Sequence, residues 1–282
     1  MINITSCYSL VNTITAEQTQ LPDLQAIIAQ WHPVRIRRID RYIQLCVAGG
    51  LSCVGGRKLP SNSGVYLASR YGAVTTSAKT AVQIERDGQL PKPLHFINTL
   101  GNSAGFYLTQ LLQLTGNALV ISQEQCSFEA ALLHACLDLN SGQITTALVG
   151  GYDEVALPFA HQLERLQLPA DTQTLHEGSH WLLLERSEHA EQPLMMPQYF
   201  SHLTGLQQWL NDYPALPLQL CFTPNPHEQK ALAGHRWNVY SPNRPEADSY
   251  SGAALTALLA SAERSVHLNR NNNGHYCAVL LN

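Results

Sequence analysis

The chain has 282 residues, with 17 Lys+Arg against 21 Asp+Glu and a net charge of −4 with neutral histidines. Only 13% of residues are charged and 45% are hydrophobic, which excludes an intrinsically disordered chain and lacks the basic excess of a nucleic-acid binder. A chain of this length buries roughly three quarters of its unfolded surface, so it needs no disulfide or metal staple, and its low charge fits a surface partly covered by another subunit.

Residues 1–20 carry no basic segment followed by an apolar run, so no signal peptide is expected. The most apolar early stretch, Leu45 to Val54, is too short and glycine-rich to span a bilayer. The seven cysteines are scattered, odd in number and without a CxxC pair. That pattern reads as reduced thiols of a cytoplasmic protein.

In chain order, residues 23–31 and 38–50 have helical spacing. Four arginines, Arg35, Arg37, Arg38 and Arg41, cluster at the second helix start. They form either a solvated face or a docking patch for an acidic carrier. Residues 64–69 read as a strand, 94–100 as a short segment entering a turn, and 102–114 as a helix. Residues 118–122 are a short apolar strand, followed by the polar trio Gln123-Glu124-Gln125. Cys126 to Leu139 is apolar nearly all round, the mark of a buried helix, and Gly142 is placed to end it. Residues 144–149 form a second apolar strand, closed by Gly150-Gly151. Strand, sharp turn, buried helix and strand make an α/β layered design. Residues 180–185 read as a strand and 187–200 as a linker. A helix near 202–211, a strand near 217–222, a helix near 252–264 and a closing strand at 276–281 follow. A boundary near 187 divides the chain into residues 1–187 and 188–282. The sequence shows no internal repeat.

Two motif matches carry little. Gly101-Asn102-Ser103-Ala104-Gly105 fits G-x-S-x-G, but no His-Gly-Gly oxyanion loop lies upstream. His176-Glu177-Gly178-Ser179-His180 fits H-E-x-x-H, which binds zinc only on a helix. Here Gly178 and the following Trp181-Leu-Leu-Leu184 favour a strand, where residues four apart sit ~13 Å from each other. No metal and no cofactor is expected. The third feature is the polar turn before the buried helix. A thiol at a helix N-terminus is a candidate nucleophile, and Gln125 and Cys126 compete for that place.

Asn98-Thr-Leu-Gly-Asn102, Gly105, Leu114-Thr-Gly116, the strand at Ser122, the buried helix and Ala147-Leu-Val-Gly-Gly-Tyr-Asp153-Glu154 together resemble the β-ketoacyl synthases of the thiolase fold. Glu177-Gly178 and Leu182-Leu-Leu-Glu-Arg186 resemble the strand that closes the first half of that fold. The resemblance covers residues 35–187 best. It implies an α-β-α-β-α layered fold, with residues 1–187 as its N-terminal half and 188–282 as a shortened C-terminal half.

In that family, condensation uses a cysteine at the turn and two histidines. The resemblance places Gln125 at the nucleophile position, within the pair Glu124-Gln125 that chain-length factors carry. A carboxamide cannot form an acyl thioester. Cys221-Phe-Thr223-Pro-Asn225 aligns with the first histidine motif, so Cys221 replaces its histidine. Residues 247–254, which correspond to the second, contain no histidine. The glycine loop that supplies an oxyanion N–H is reduced to residues 269–274, with Gly274 as its remnant. The resemblance therefore implies a non-condensing chain-length factor, most like those of type II aryl-polyene systems. Such a factor forms a heterodimer with an active β-ketoacyl synthase through the strand near 118–122 and the helix near 102–114, and meets the acyl carrier protein through that complex. Phe106, Tyr107 and Gln110 are expected to shape the acyl tunnel or to pack the interface. The alternatives are a malonyl-carrier-protein decarboxylase with Gln125 at the nucleophile position and an acyltransferase with Cys126 as nucleophile.

Overall fold

A computed structural model describes residues 1–33, 35–189, 193–240, 250–261 and 263–281. The strands are β1 (Ile2–Thr15), β2 (Gly64–Ala68), β3 (Ala118–Ile121), β4 (Thr146–Asp153), β5 (Thr174–Arg186), β6 (Pro193–Leu194), β7 (Gln198–Phe200), β8 (Leu218–Leu220), β9 (Trp237–Val239), β10 (Ser265–Arg270) and β11 (Tyr276–Leu281). The helices are α1 (Leu24–Ala29), α2 (Arg41–Val54), α3 (Val74–Glu85), α4 (Pro93–Thr99), α5 (Asn102–Leu112), α6 (Ser127–Ser141), α7 (Phe159–Leu166), α8 (Leu203–Leu210), α9 (Pro226–Ala231) and α10 (Tyr250–Ala260). A 3-10 turn, Glu124–Cys126, leads into α6.

The two halves repeat one topology. In the first, β3, β2 and β4 run parallel, β5 is antiparallel to β4, and β1 is antiparallel to β5. In the second, β9, β8 and β10 run parallel, β11 is antiparallel to β10, and β7 is antiparallel to β11. Each half places its central helix, α6 or α10, between its third and fourth strands. The short β6 bonds to both β1 and β11 and joins the halves into one sheet. The sequence hides this duplication because corresponding strands share a pattern of burial rather than residue identities.

The layers follow from the burial. Helices α1, α2 and α5 cover the outer face of the first half, where Tyr42, Leu45 and Leu108 share a core with Leu148 and Trp181 of the sheet. Helices α6 and α10 are central: Phe128, Leu132, Leu255 and Leu258 pack with β1, β4 and β5 on one side and Val279 and Leu281 on the other. Helices α8 and α9 cover the far face, with Leu206, Leu210, Val266, Leu268 and Leu280. The order is α-β-α-β-α. The all-round apolarity of α6 is thus explained, since both of its faces are covered. Gly142 ends α6 with φ 77°, a conformation that glycine adopts without strain.

Several elements depart from expectation. Residues 94–100 are helical, as α4. Strand β4 runs through Gly150 and Gly151 to Asp153 instead of stopping before them. Those glycines provide clearance: a Cβ at Gly150 would lie 2.4 Å from the Trp181 ring, and one at Gly151 would lie 2.6 Å from Phe128. Strand β5 begins at Thr174, well before 180, and the supposed linker contains β6 and β7. The boundary at 187 falls one residue past the end of β5.

Candidate functional site

The 3-10 turn points Gln125 into the seam between the two halves. Glu124 precedes it with φ +49°, a left-handed conformation that costs a non-glycine residue energy and is common at functional turns. Facing this turn is the β10–β11 hairpin. Asn271 Oδ1 accepts from the N–H groups of Asn273 and His275 at 3.0 and 2.9 Å, so the asparagine run folds into a compact turn. Gly274, at φ +76°, donates its N–H to Asn271 O at 3.1 Å. That donor is consumed within the turn.

The hairpin is latched to Gln125. Gln125 Nε2 donates to Asn272 Oδ1 at 2.6 Å, and Asn269 Nδ2 donates to the Gln125 carbonyl at 2.7 Å. Between them opens a cavity of about 380 Å³, bounded by Gln125, Cys221, Asn225, Arg270, Asn272 and Tyr276 among others. Among the described residues no histidine lines it. Arg270 does not present a free charge. Its Nη1 lies 2.5 and 2.6 Å from the two carboxylate oxygens of Glu228, and Tyr276 Oη donates to the same carboxylate at 2.6 Å. Burial pushes Glu228 up, but Tyr276, the Asn225 N–H and Arg270 outweigh it and hold the carboxyl below its ordinary range.

Behind the cavity lies a buried polar cluster that the sequence did not reveal. His267 and Asn269 sit on β10, their side chains turned toward α6, while Val266 and Leu268 face α8 and α9. His267 Nε2 lies 2.8 Å from Glu129 Oε1, and Asn269 Nδ2 donates to the same oxygen at 2.9 Å. Glu129 Oε2 is buried without a hydrogen-bond partner among the described residues. Cys221 Sγ is 3.7 Å from His267 Nδ1 and 3.9 Å from Nε2. Strand alternation was the available signal, but polar residues at alternate positions ordinarily face water, so β10 itself went unrecognised.

Gln125, Cys221 and Gly274 therefore come together around one cavity. Cys126 is buried, and burial, reinforced by the carboxylates of Glu129 and Glu124, pushes its thiol up. Phe106, Tyr107 and Gln110 lie elsewhere, on α5. Phe106 is 60% exposed and Gln110 shares its face one turn on. Tyr107 instead leans against the core, its ring 5.7 Å from that of Phe106 in an edge-to-face contact. Beside them, β3 is the edge of the sheet and exposes Leu119 and Val120. A Cβ on Gly101 would lie 3.3 Å from Val120, so the start of α5 touches the edge strand. Phe96, Ile97 and Leu100 extend the apolar face.

The other motifs are structural. Ser103 is buried and donates to Ile97 O at 2.5 Å. His176 and His180 lie on the extended β5. Of the arginine cluster, Arg35, Arg37 and Arg38 are exposed, while Arg41 turns inward to Glu177, with Nε 3.1 and 3.2 Å from its carboxylate oxygens. Residues 247–249 of the second histidine region lie outside the described residues; Ser251 to Ala254 are part of α10. No group of three metal-ligating side chains is found among the described residues, and no described helix is long and apolar enough to cross a membrane.

No family model matches the sequence, and no curated protein matches it either. Solved structures do match. A chain of the ishigamide ketosynthase/chain length factor superposes with a TM-score of 0.72 at 16% identity, over 99% of this chain and 98% of that one. A β-ketoacyl synthase from Burkholderia phymatum gives 0.71 at 14% identity, over 99% and 98%. The ketosynthase ApeO in complex with its chain length factor ApeC, from Xenorhabdus doucetiae, gives 0.53 at 15% identity, over 98% and 99%. The chain has the thiolase-like fold of the ketosynthases. Its repeated halves and central helices are the layers of that fold, and the Gln125 cavity sits where the two halves meet.

Proposed function

We propose that this chain is a ketosynthase-like chain-length factor. It pairs with an active β-ketoacyl synthase, shapes that partner's acyl tunnel and does not itself catalyse condensation. The observation that carries the reading is the state of the Gln125 cavity. A carboxamide stands where a thiol must attack, its nitrogen is tied to Asn272, and the Gly274 N–H is spent inside the turn. A carboxamide nitrogen is too weak a nucleophile for acyl transfer.

The apolar face of β3, α4 and α5 supports the pairing. An exposed edge strand with apolar side chains is a liability unless a partner covers it. Phe106 projects from that face, and in this reading it ends a tunnel that crosses the interface. The growing chain reaches the complex on an acyl carrier protein. The resemblance narrows the system to one of type II aryl-polyene character.

Reconstituted elongation with the partner synthase tests this. Gln125→Ala is expected to leave the yield of elongated product within about twofold, whereas Phe106→Ala lengthens the product distribution without lowering turnover. Loss of all elongation in Gln125→Ala with the heterodimer intact overturns the reading.

A further inference from the structure

We propose that Cys221, His267 and Glu129 form a thiol relay in which Cys221 accepts an acyl group from a thioester. The relay is built from three separate elements. Cys221 follows β8 and lines the cavity. His267 lies behind it on β10, with Nδ1 3.7 Å from the sulfur. Glu129, on α6, accepts at Nε2 from the other side at 2.8 Å.

The order nucleophile, imidazole, carboxylate is the arrangement by which a weak acid is made to attack a carbonyl. Glu129 accepts from Nε2 and so leaves Nδ1, the nitrogen nearer the sulfur, without a proton; the sulfur stands almost equally far from the two nitrogens, at 3.7 and 3.9 Å, so a turn of the Cys221 side chain has to bring it into line with Nδ1 for the transfer. Asn269 donates to the same carboxylate oxygen and keeps it an acceptor. The second oxygen of Glu129 is buried and unpartnered, an arrangement costly enough to need an explanation other than packing. The cavity has the volume of a small-ligand site, and the amides of Gln125, Asn225 and Asn272 offer polar partners for a carbonyl oxygen.

Burial, with the Glu129 carboxylate nearby, holds the Cys221 thiol up. The sulfur is therefore protonated at rest and must lose its proton as it attacks. In the step, His267 Nδ1 takes the thiol proton while Sγ bonds to the carbonyl carbon. The carbon–sulfur bond of the donor then breaks, and the departing thiolate takes the proton from Nδ1. One thioester is exchanged for another, and nothing is oxidised or reduced. The choice of a thioester donor rests on the carrier-dependent reading above; the relay geometry does not.

The full chain, as its complex if it copurifies with one, is incubated with hexanoyl-N-acetylcysteamine and followed by intact mass and peptide mapping. One hydroxylamine-labile hexanoyl group on Cys221 is expected. Cys221→Ser abolishes it, Cys7→Ser leaves it unchanged, and His267→Gln slows it by about 10²–10⁴-fold. Because a buried change at 267 can disturb folding, wild-type protein also serves as its own comparison: Cys221 must acylate faster than the exposed Cys7. Acylation no faster than Cys7, or an unchanged rate in folded His267→Gln, overturns the proposal. If Cys221 fails to acylate in an intact heterodimer, only this inference falls; if no heterodimer forms, the chain-length-factor reading falls with it.

Discussion

Val120→Asp is expected to weaken the complex with the partner synthase by at least about 100-fold. Val120 lies on the edge strand β3, exposed beside Leu119 and against the start of α5. In the isolated chain an aspartate there stays in water, so folding is barely affected. In the proposed heterodimer it would be driven into the apolar interface, where an unpaired buried carboxylate costs several kcal/mol. About 2.7 kcal/mol already corresponds to 100-fold. Titration by surface binding or analytical ultracentrifugation reads the loss, and circular dichroism confirms that the variant is folded. An unchanged affinity would place the interface elsewhere.

Glu129→Ala carries the other large effect, on stability. The carboxylate is buried between α6 and β10 and accepts from both His267 and Asn269. Its removal leaves the imidazole N–H without an acceptor in the interior and opens a void. Breaking a buried pair in this way costs about 3–5 kcal/mol. For a chain of this size each kcal/mol lowers Tm by about 2–4 °C, so a drop of roughly 10 °C is expected by calorimetry. Glu129→Gln keeps an acceptor oxygen in place and is expected to lose less than half as much. Equal losses in the two variants would mean that packing, and not the hydrogen bonds, holds this cluster.

How much of this was legible in the sequence varies with the residue. The segment from Ala118 to Val149 reads plainly, because a helix apolar on all sides between short β-prone runs has few alternatives in a layered α/β protein. The place of Gln125 at the helix entrance followed from it. Strand β1 was not recognised, since Ser6, Ser9 and Asn12 interrupt any apolar run. They are tolerated because Ser9 meets His180 at 2.9 Å and Asn12 donates to Glu177 at 2.7 Å. Gly150 and Gly151 read as terminators because a glycine pair ordinarily ends a strand; the side chains that need their space, Trp181 and Phe128, come from distant parts of the chain. His267 escaped for the same reason. Its partner Glu129 is 138 residues away, and only the folded duplication of the two halves brings β10 against α6.

Native mass spectrometry after co-expression with the β-ketoacyl synthase encoded nearest to this chain tests the central claim most directly. A stable one-to-one complex, in which the synthase keeps its condensing activity when Gln125 is replaced by alanine, is the predicted result. A homodimer of this chain that ignores the synthase would contradict it.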